Sequence, residues 1–167
     1  MNFMYYESVF KQLNKFRIKY VVIGGIAVNL YGFARLTMDL DIIVDMKEKN
    51  LKKLLLVIKK IKYKPRLPEK EHELTNEEKR KEWHKQKKMF VFTFYNPKLS
   101  YEEIDILLIH PISFKKLFKD RKIIKPTKSI RIPVASLKHL IKLKKITKRE
   151  KDLLDLSALK QIMKSEL

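Results

Sequence analysis

Apolar positions along this chain follow two rhythms. From Phe3 to Phe16 they recur at helical spacing, with Phe3, Tyr6, Phe10, Leu13 and Phe16 on one side. Tyr20-Val21-Val22-Ile23 is a β-branched run without a polar break, the mark of a short buried strand, and Gly24-Gly25 ends it. Ile26 to Tyr31 then predicts a helix directly after the glycines, and Leu40 to Val44 a second strand. Asn50 to Ile61 predicts an amphipathic helix with Leu51, Leu54, Leu55 and Ile58 on one side. Beyond it the character changes from Lys62 to Lys88. Pro65 and Pro68 predict an extended connection, and Thr75 with Glu78 three residues later resembles a capping box opening a charged helix through Trp83. Met89 to Tyr95 and Glu103 to Ile109 read as partner strands around a turn at Asn96 and Pro97. Ile130 to Val134 is another short extended piece. Ser136 is expected to cap a helix carrying Leu137, Leu140, Ile141 and Leu143. A last helix, from about Arg149, is expected to turn Leu153, Leu156, Leu159 and Ile162 inward. No repeat, low-complexity tract or linker interrupts this order. The expectation is one domain over residues 1–167, of α/β (α+β) class, with a small mixed β-sheet flanked by helices.

Composition narrows the function. With 167 residues, 45% of them hydrophobic, the chain has enough material for one sizeable core. It has no cysteine, which excludes disulfides, thiolate zinc sites and thiol nucleophiles and favours the cytoplasm. Met1 to Lys11 lacks the basic and apolar regions of a signal peptide. The longest uncharged stretch, Tyr20 to Ala34, is too short and too interrupted by glycine to span a bilayer, so no membrane is expected. The formal net charge is +20, spread along the chain rather than confined to a tail. Such a field draws polyanions, although a lysine-rich solvated surface gives the same total.

The acids are the more specific signal. Asp39-Leu40-Asp41 follows Gly24-Gly25 by fourteen positions, and Asp105 stands alone among Ile104, Ile106, Leu107 and Leu108. On a strand, Asp39 and Asp41 share a face with Cα atoms about 6.5–7 Å apart. An acid on an otherwise apolar strand is costly unless a cation binds it. Three gathered carboxylates suit Mg²⁺, with Mn²⁺ as the alternative, and two such ions roughly 3.5–4 Å apart clamp the attacking and leaving oxygens of an in-line displacement. Asp45 shares the parity of Asp39 and Asp41 but falls at the strand's end. Asp-x-Asp by itself is often a turn or a helix cap. Strand context, an isolated third acid and a glycine pair that lets backbone approach phosphate make the combination specific.

These residues resemble the nucleotidyltransferase superfamily of DNA polymerase beta type, in which a strand ending in Gly-Gly or Gly-Ser precedes an Asp-x-Asp strand and a third strand acid. More closely, Gly24-Gly25-Ile26-Ala27-Val28-Asn29, Gly32 and Arg35-x-Thr37-x-Asp39-x-Asp41 are similar to small stand-alone members near the AbiEii/AbiGii toxin type. The similarity extends through Pro65-Arg66-x-Pro68, Arg80-x-x-Trp83 and Ile104-Asp105. It ends at Leu140-Ile141-x-Leu143-Lys144 and Arg149-x-Lys151-Asp152-x-x-Asp155-Leu156. Lys148 and Glu150 depart from it, where Gly and Pro are frequent. The resemblance implies transfer of a nucleoside monophosphate from an NTP, with release of pyrophosphate. Asp39 and Asp41 would ligate the metals, and Asp105 would complete the set and help deprotonate the acceptor hydroxyl. Gly24 and Gly25 would contact the triphosphate, and Lys144 would neutralise phosphate charge. Arg35 and Thr37 would bind nucleotide or shape the loop before the metal strand. The acceptor would be the 3′ end of an RNA or tRNA, a protein hydroxyl or a small aminoglycoside-like molecule. Alternatives are a non-catalytic nucleotide- or RNA-binding module and a toxin–antitoxin component with a partner protein. Trp83 is expected to anchor its helix to the core, with a stacking platform for a base as the alternative, Asp155 to be structural, and the four histidines lack metal-ligand spacing.

Overall fold

A computed structural model describes residues 5–147 and 150–165; Phe3, Lys148 and Arg149 lie outside them. The chain runs α1 (Glu7–Lys15), β1 (Tyr20–Val22), α2 (Gly24–Leu30), β2 (Asp39–Val44) and α3 (Glu48–Lys60), then β3 (Lys64–Pro65), a 3₁₀ turn (Glu71–Thr75) and α4 (Glu77–Lys87). It continues with β4 (Val91–Asn96), β5 (Leu99–Leu107), α5 (Phe114–Lys119), β6 (Lys122–Thr127), β7 (Ile130–Val134), α6 (Leu137–Thr147) and α7 (Glu150–Ser165). Among the described residues the strands form one sheet in the order β3-β4-β5-β2-β1-β7-β6. The pairs β2–β5 and β1–β7 are parallel and the others antiparallel, so the sheet is mixed. The expected α/β architecture is therefore the observed one.

The alternation of β2 and β5 decides which side is core. Leu40, Ile42, Ile104 and Ile106 are buried on one face together with Phe92 and Phe94 of β4. Phe10 and Leu13 of α1 and Leu51, Leu54 and Ile58 of α3 belong to the same core. Asp39, Asp41 and Asp105 have the opposite parity, so burying the apolar residues turns the acids out of the core.

Several boundaries and faces differ from expectation for identifiable reasons. Gly24 and Gly25 are the first residues of α2 and not a turn before it. The residue capping α4 is Asn76, whose side chain accepts from the N–H groups of Glu78 and Lys79, whereas the Thr75 hydroxyl donates to the carbonyl of His72. Asn is as good a cap as Thr, and the 3₁₀ turn has already engaged Thr75. The helix α5 and strand β6 were not predicted from the sequence. β6 carries Lys122, Lys125 and Pro126, tolerated because it is an edge strand paired with β7 alone. On α7, Leu153 is 65% exposed while Asp152 and Asp155 are buried, so the inward stripe is rotated from the all-leucine one. Trp83 is 2% exposed, its ring 5.4 Å from that of Phe92, and it anchors α4 as expected.

Candidate active site

The parallel register of β2 against β5 sets Asp39 opposite Glu103 and Asp41 opposite Asp105. Neighbouring strands lie about 4.8 Å apart, so four carboxylates share one patch of the face turned away from the core. Tyr6, from the residues preceding α1, fixes the ends of both strands. Its hydroxyl oxygen lies 2.5 Å from the Met38 carbonyl and 2.8 Å from that of Glu103, and accepts from the Glu103 N–H at 3.0 Å. The two carboxylates of β5 are treated differently. Glu103 forms an ion pair with Arg66, whose guanidinium also donates to the Ser100 carbonyl at 3.0 Å and lies 4.5 Å from the centre of the Tyr95 ring. Asp105 accepts from the Thr93 hydroxyl at 2.6 Å. Burial pushes the Asp105 pKa up, the charges of Asp39 and Glu103 push it further, and the Thr93 hydrogen bond and Arg66 oppose them.

The glycines explain how a helix start comes so near these acids. Gly24 has φ +68°, and a Cβ there would lie 1.9 Å from Asp41 Oδ2. At Gly25 a Cβ would meet Arg35 Nη2 at 2.4 Å and Thr37 Oγ1 at 2.5 Å. Only a residue without a side chain lets α2 press against both. Asn29, on the same helix, holds the segment leading to β2: its amide donates to the Arg35 carbonyl and its oxygen accepts from the Arg35 N–H, both at 3.0 Å.

Arg35 also reaches back to α7, with Nη1 3.3 Å from Asp155 Oδ2. Lys144 of α6 is 7% exposed, its ammonium 2.7 Å from Asp152 Oδ1 and 2.7 Å from Asp155 Oδ2. It is no ordinary surface lysine. Two buried carboxylates hold it, and one of them is shared with Arg35. Asp155 thus serves a structural purpose, and Asp152 joins it.

Gly24, Gly25, Arg35, Thr37, Asp39, Asp41, Asp105 and Lys144 all line one cleft of about 450 Å³. The sequence separated these residues by up to 120 positions, and the fold brings all of them together. The donor set is hard oxygen, which matches Mg²⁺ or Mn²⁺, and a crowded, partly buried acid such as Asp105 gains from a nearby cation. Asp39, Asp41 and Asp105 fit such an ion by chemistry and by their common face. As the side chains stand, no three Asp, Glu or His groups among the described residues are arranged to hold a metal. Glu103, Thr93, Arg66 and Tyr6 escaped the sequence reading. For Glu103 a signal existed, since it precedes Asp105 by two positions and shares its parity. For Arg66 the Pro65-Arg66-x-Pro68 motif was a signal, though it named no partner; for Thr93 and Tyr6 the sequence held none.

A mixed sheet whose central parallel pair presents these acids beside a glycine-opened helix is the architecture of nucleotidyltransferases, and this protein is one. The chain belongs to the AbiEii family: the sequence model described as "Nucleotidyl transferase AbiEii toxin, Type IV TA system" matches residues 10–166. Among solved structures it is similar to the lincosamide antibiotic adenylyltransferase LnuA bound to lincomycin, with 17% identity, TM-score 0.62 and 95% of each chain covered. It is also similar to the antibiotic-resistance factor ANT(2'')-Ia, with 9% identity and TM-score 0.56, over 99% of this chain and 88% of that one. A third is an antigenic nucleotidyltransferase-like protein from Paracoccidioides brasiliensis, with 14% identity and TM-score 0.53, covering 95% and 75%. At such identities the likeness is one of fold. No curated protein matches the chain in sequence.

Proposed function

We propose that residues 1–167 act as one catalytic domain that transfers a nucleoside monophosphate from an NTP to an acceptor hydroxyl, with Mg²⁺ or Mn²⁺ bound by Asp39, Asp41 and Asp105. The observation that supports this best is the β2–β5 register, which puts Asp41 beside Asp105 on the face opposite the core. When bound, the cations supply charge to the phosphoryl oxygens of an in-line displacement. Gly24, pressed against Asp41, and Gly25, against Arg35 and Thr37, leave backbone as the surface nearest the triphosphate. Lys144 lines the same cleft with its ammonium held by Asp152 and Asp155, and in this reading it also donates a hydrogen bond to a phosphate oxygen. Arg35 lines that wall, and Thr37 shapes the approach to β2. Asp105, whose burial raises its affinity for a proton, takes the proton from the acceptor hydroxyl as the new bond to phosphorus forms and pyrophosphate leaves.

The acceptor in this reading is an RNA or tRNA 3′ end or a protein hydroxyl, and the protein works in the cytoplasm. A net charge of +20 supports a polyanionic acceptor over a cationic aminoglycoside-like one. The family description supports a toxin–antitoxin setting in which a neighbouring antitoxin limits the activity. Incubation with each α-labelled NTP, Mg²⁺ and total cellular RNA or protein should label one acceptor fraction. Asp41→Asn should lower labelling by at least about a hundredfold, the scale on which loss of a transition-state charge acts. Equal labelling by the wild type and this variant, or none by either, rejects the assignment.

A further inference from the structure

The residues lining the cleft are of two unlike kinds, charged and apolar. Besides the glycines and charged groups, its lining includes Phe90, Leu107, Ile109, Pro111, Leu143 and Ile146. Three of these are large apolar side chains left substantially exposed: Phe90 at 52%, Ile109 at 46% and Ile146 at 55%. Scattered exposed apolar groups need no explanation, but three converging on one concave wall mark a binding surface. On β5, Leu107 follows Asp105 at the same parity, so the apolar lining continues directly from the carboxylates.

We infer that this apolar lining is the nucleobase slot of the NTP, and that it grips the base by stacking and apolar contact without reading its hydrogen-bonding edge. The inference rests on the nucleotidyltransferase reading of the carboxylates. A nucleotide has the same polarity profile as the cleft, a polyanionic end joined through a sugar to a flat, weakly polar ring. A volume of about 450 Å³ falls within the usual range for small-molecule sites, roughly 300–1,000 Å³.

Phe90 is the residue placed to stack. The His84 ring meets it edge-on, with centroids 4.9 Å apart and planes at 79°. The backbone on either side is fixed too, because Met89 donates to the Trp83 carbonyl and Leu108 to the Phe90 carbonyl. The charged segment from Lys62 to Lys88 thereby acquires a purpose: α4, anchored by Trp83, braces the aromatic wall of the slot.

Selectivity follows from the make-up of this lining. Among the described residues, none of its side chains carries a hydrogen-bond donor or acceptor. Pro111 has no N–H, and the Phe90 carbonyl already accepts from the Leu108 N–H. A site built to hydrogen-bond rejects the wrong partner strongly because its own polar groups go unpaired, whereas an apolar wall discriminates only weakly. The four NTPs should therefore bind within about tenfold of one another, with the larger purine rings ahead.

Binding constants for the four NTPs and for inorganic tripolyphosphate, measured with Mg²⁺ on wild type, Phe90→Ala and Phe90→Trp, test this directly. Phe90→Ala should weaken all four NTPs by roughly tenfold, the scale of one base–aromatic stack. Tripolyphosphate, which engages only the charged lining, should be unaffected, and Phe90→Trp should restore NTP binding. Phe90 is half-exposed, so the core survives either change. Unchanged NTP binding in Phe90→Ala overturns the slot, as does a hundredfold preference of the wild type for one base. If tripolyphosphate binding and Asp41-dependent transfer persist in either case, the nucleotidyltransferase reading stands while the slot falls. If neither tripolyphosphate nor any NTP binds the wild type, both fall.

Discussion

Asp105 and Gly24 carry the sharpest consequences at the scale of single residues. Burial raises the pKa of Asp105 in the folded protein above that of the unfolded chain, so between those two values the native state holds more protons. Stability consequently falls as pH rises through that window, and the cost persists above it. Asp105→Asn keeps an oxygen for the Thr93 hydroxyl and removes the charge. It should melt a few degrees higher than the wild type at neutral pH without Mg²⁺, with the gap closing once the pH drops below the ordinary aspartate range, while transfer is lost. Thermal melts across pH, paired with labelling assays, check both halves. A lower melting temperature for the variant at neutral pH would show that Asp105 is comfortable as an anion there. Gly24→Ala forces a methyl group into Asp41 and keeps a left-handed φ, so it should cost more than about 1 kcal/mol and displace Asp41. Denaturant titration and activity should fall together; an active, equally stable variant contradicts the close approach.

At the scale of elements, α6, α7 and the connection between α2 and β2 are joined by the ionic cluster of Lys144, Asp152, Asp155 and Arg35. Asp155→Ala strips Arg35 of this carboxylate and leaves Lys144 with Asp152 in a buried setting. We expect a loss of about 3 kcal/mol in urea unfolding, since removing one member of a buried ionic cluster strands the others. The helix α4 offers a milder test. Asn76→Ala should cost about 1 kcal/mol and Thr75→Ala clearly less, because Asn76 supplies the cap. The reverse order would reinstate Thr75. In both cases a pattern in the sequence located the helix correctly, and a local competition moved its end or rotated its face. The leucine periodicity of α7 is real, yet Asp152 and Asp155 take the inward positions because buried Lys144 and partly buried Arg35 pair with them there.

Over the whole molecule, charge is unevenly placed. Residues 111–149 hold fourteen Lys and Arg against one acid, Asp120. Lys116 of α5 and Lys138 and Lys142 of α6 lie close enough together to depress the pKa of His139, after the larger effect of its burial. This basic flank shares α6 with the cleft. Binding of total RNA should weaken by tenfold or more as salt rises from about 50 to 200 mM. The double change Lys138→Glu and Lys142→Glu should flatten that dependence while NTP binding holds. Filter binding over a salt series checks this, and a salt-independent interaction would remove the flank from any account of the acceptor.

The amino-acid sequence by itself determined most of the strand and helix order, α5 and β6 excepted, the parity that ejects Asp39, Asp41 and Asp105 from the core, and the pairing of a glycine doublet with those acids. Such features are legible because side-chain period and burial are local properties of a strand. What tertiary structure alone decided is who stands beside whom. The β2–β5 register set Glu103 against Asp39 and assigned Arg66 to neutralise it, Thr93 reached Asp105 from a third strand, and Tyr6 tied the strand ends together. Lys144 and Arg35, more than a hundred residues apart, came to share Asp155. Phe90 became a wall of the cleft through an edge-on imidazole from a helix whose own sequence reads only as charged. Each of these contacts depends on distances between segments that no local pattern encodes, and they turn a recognisable set of acids into a cleft lined by two chemically distinct kinds of residue.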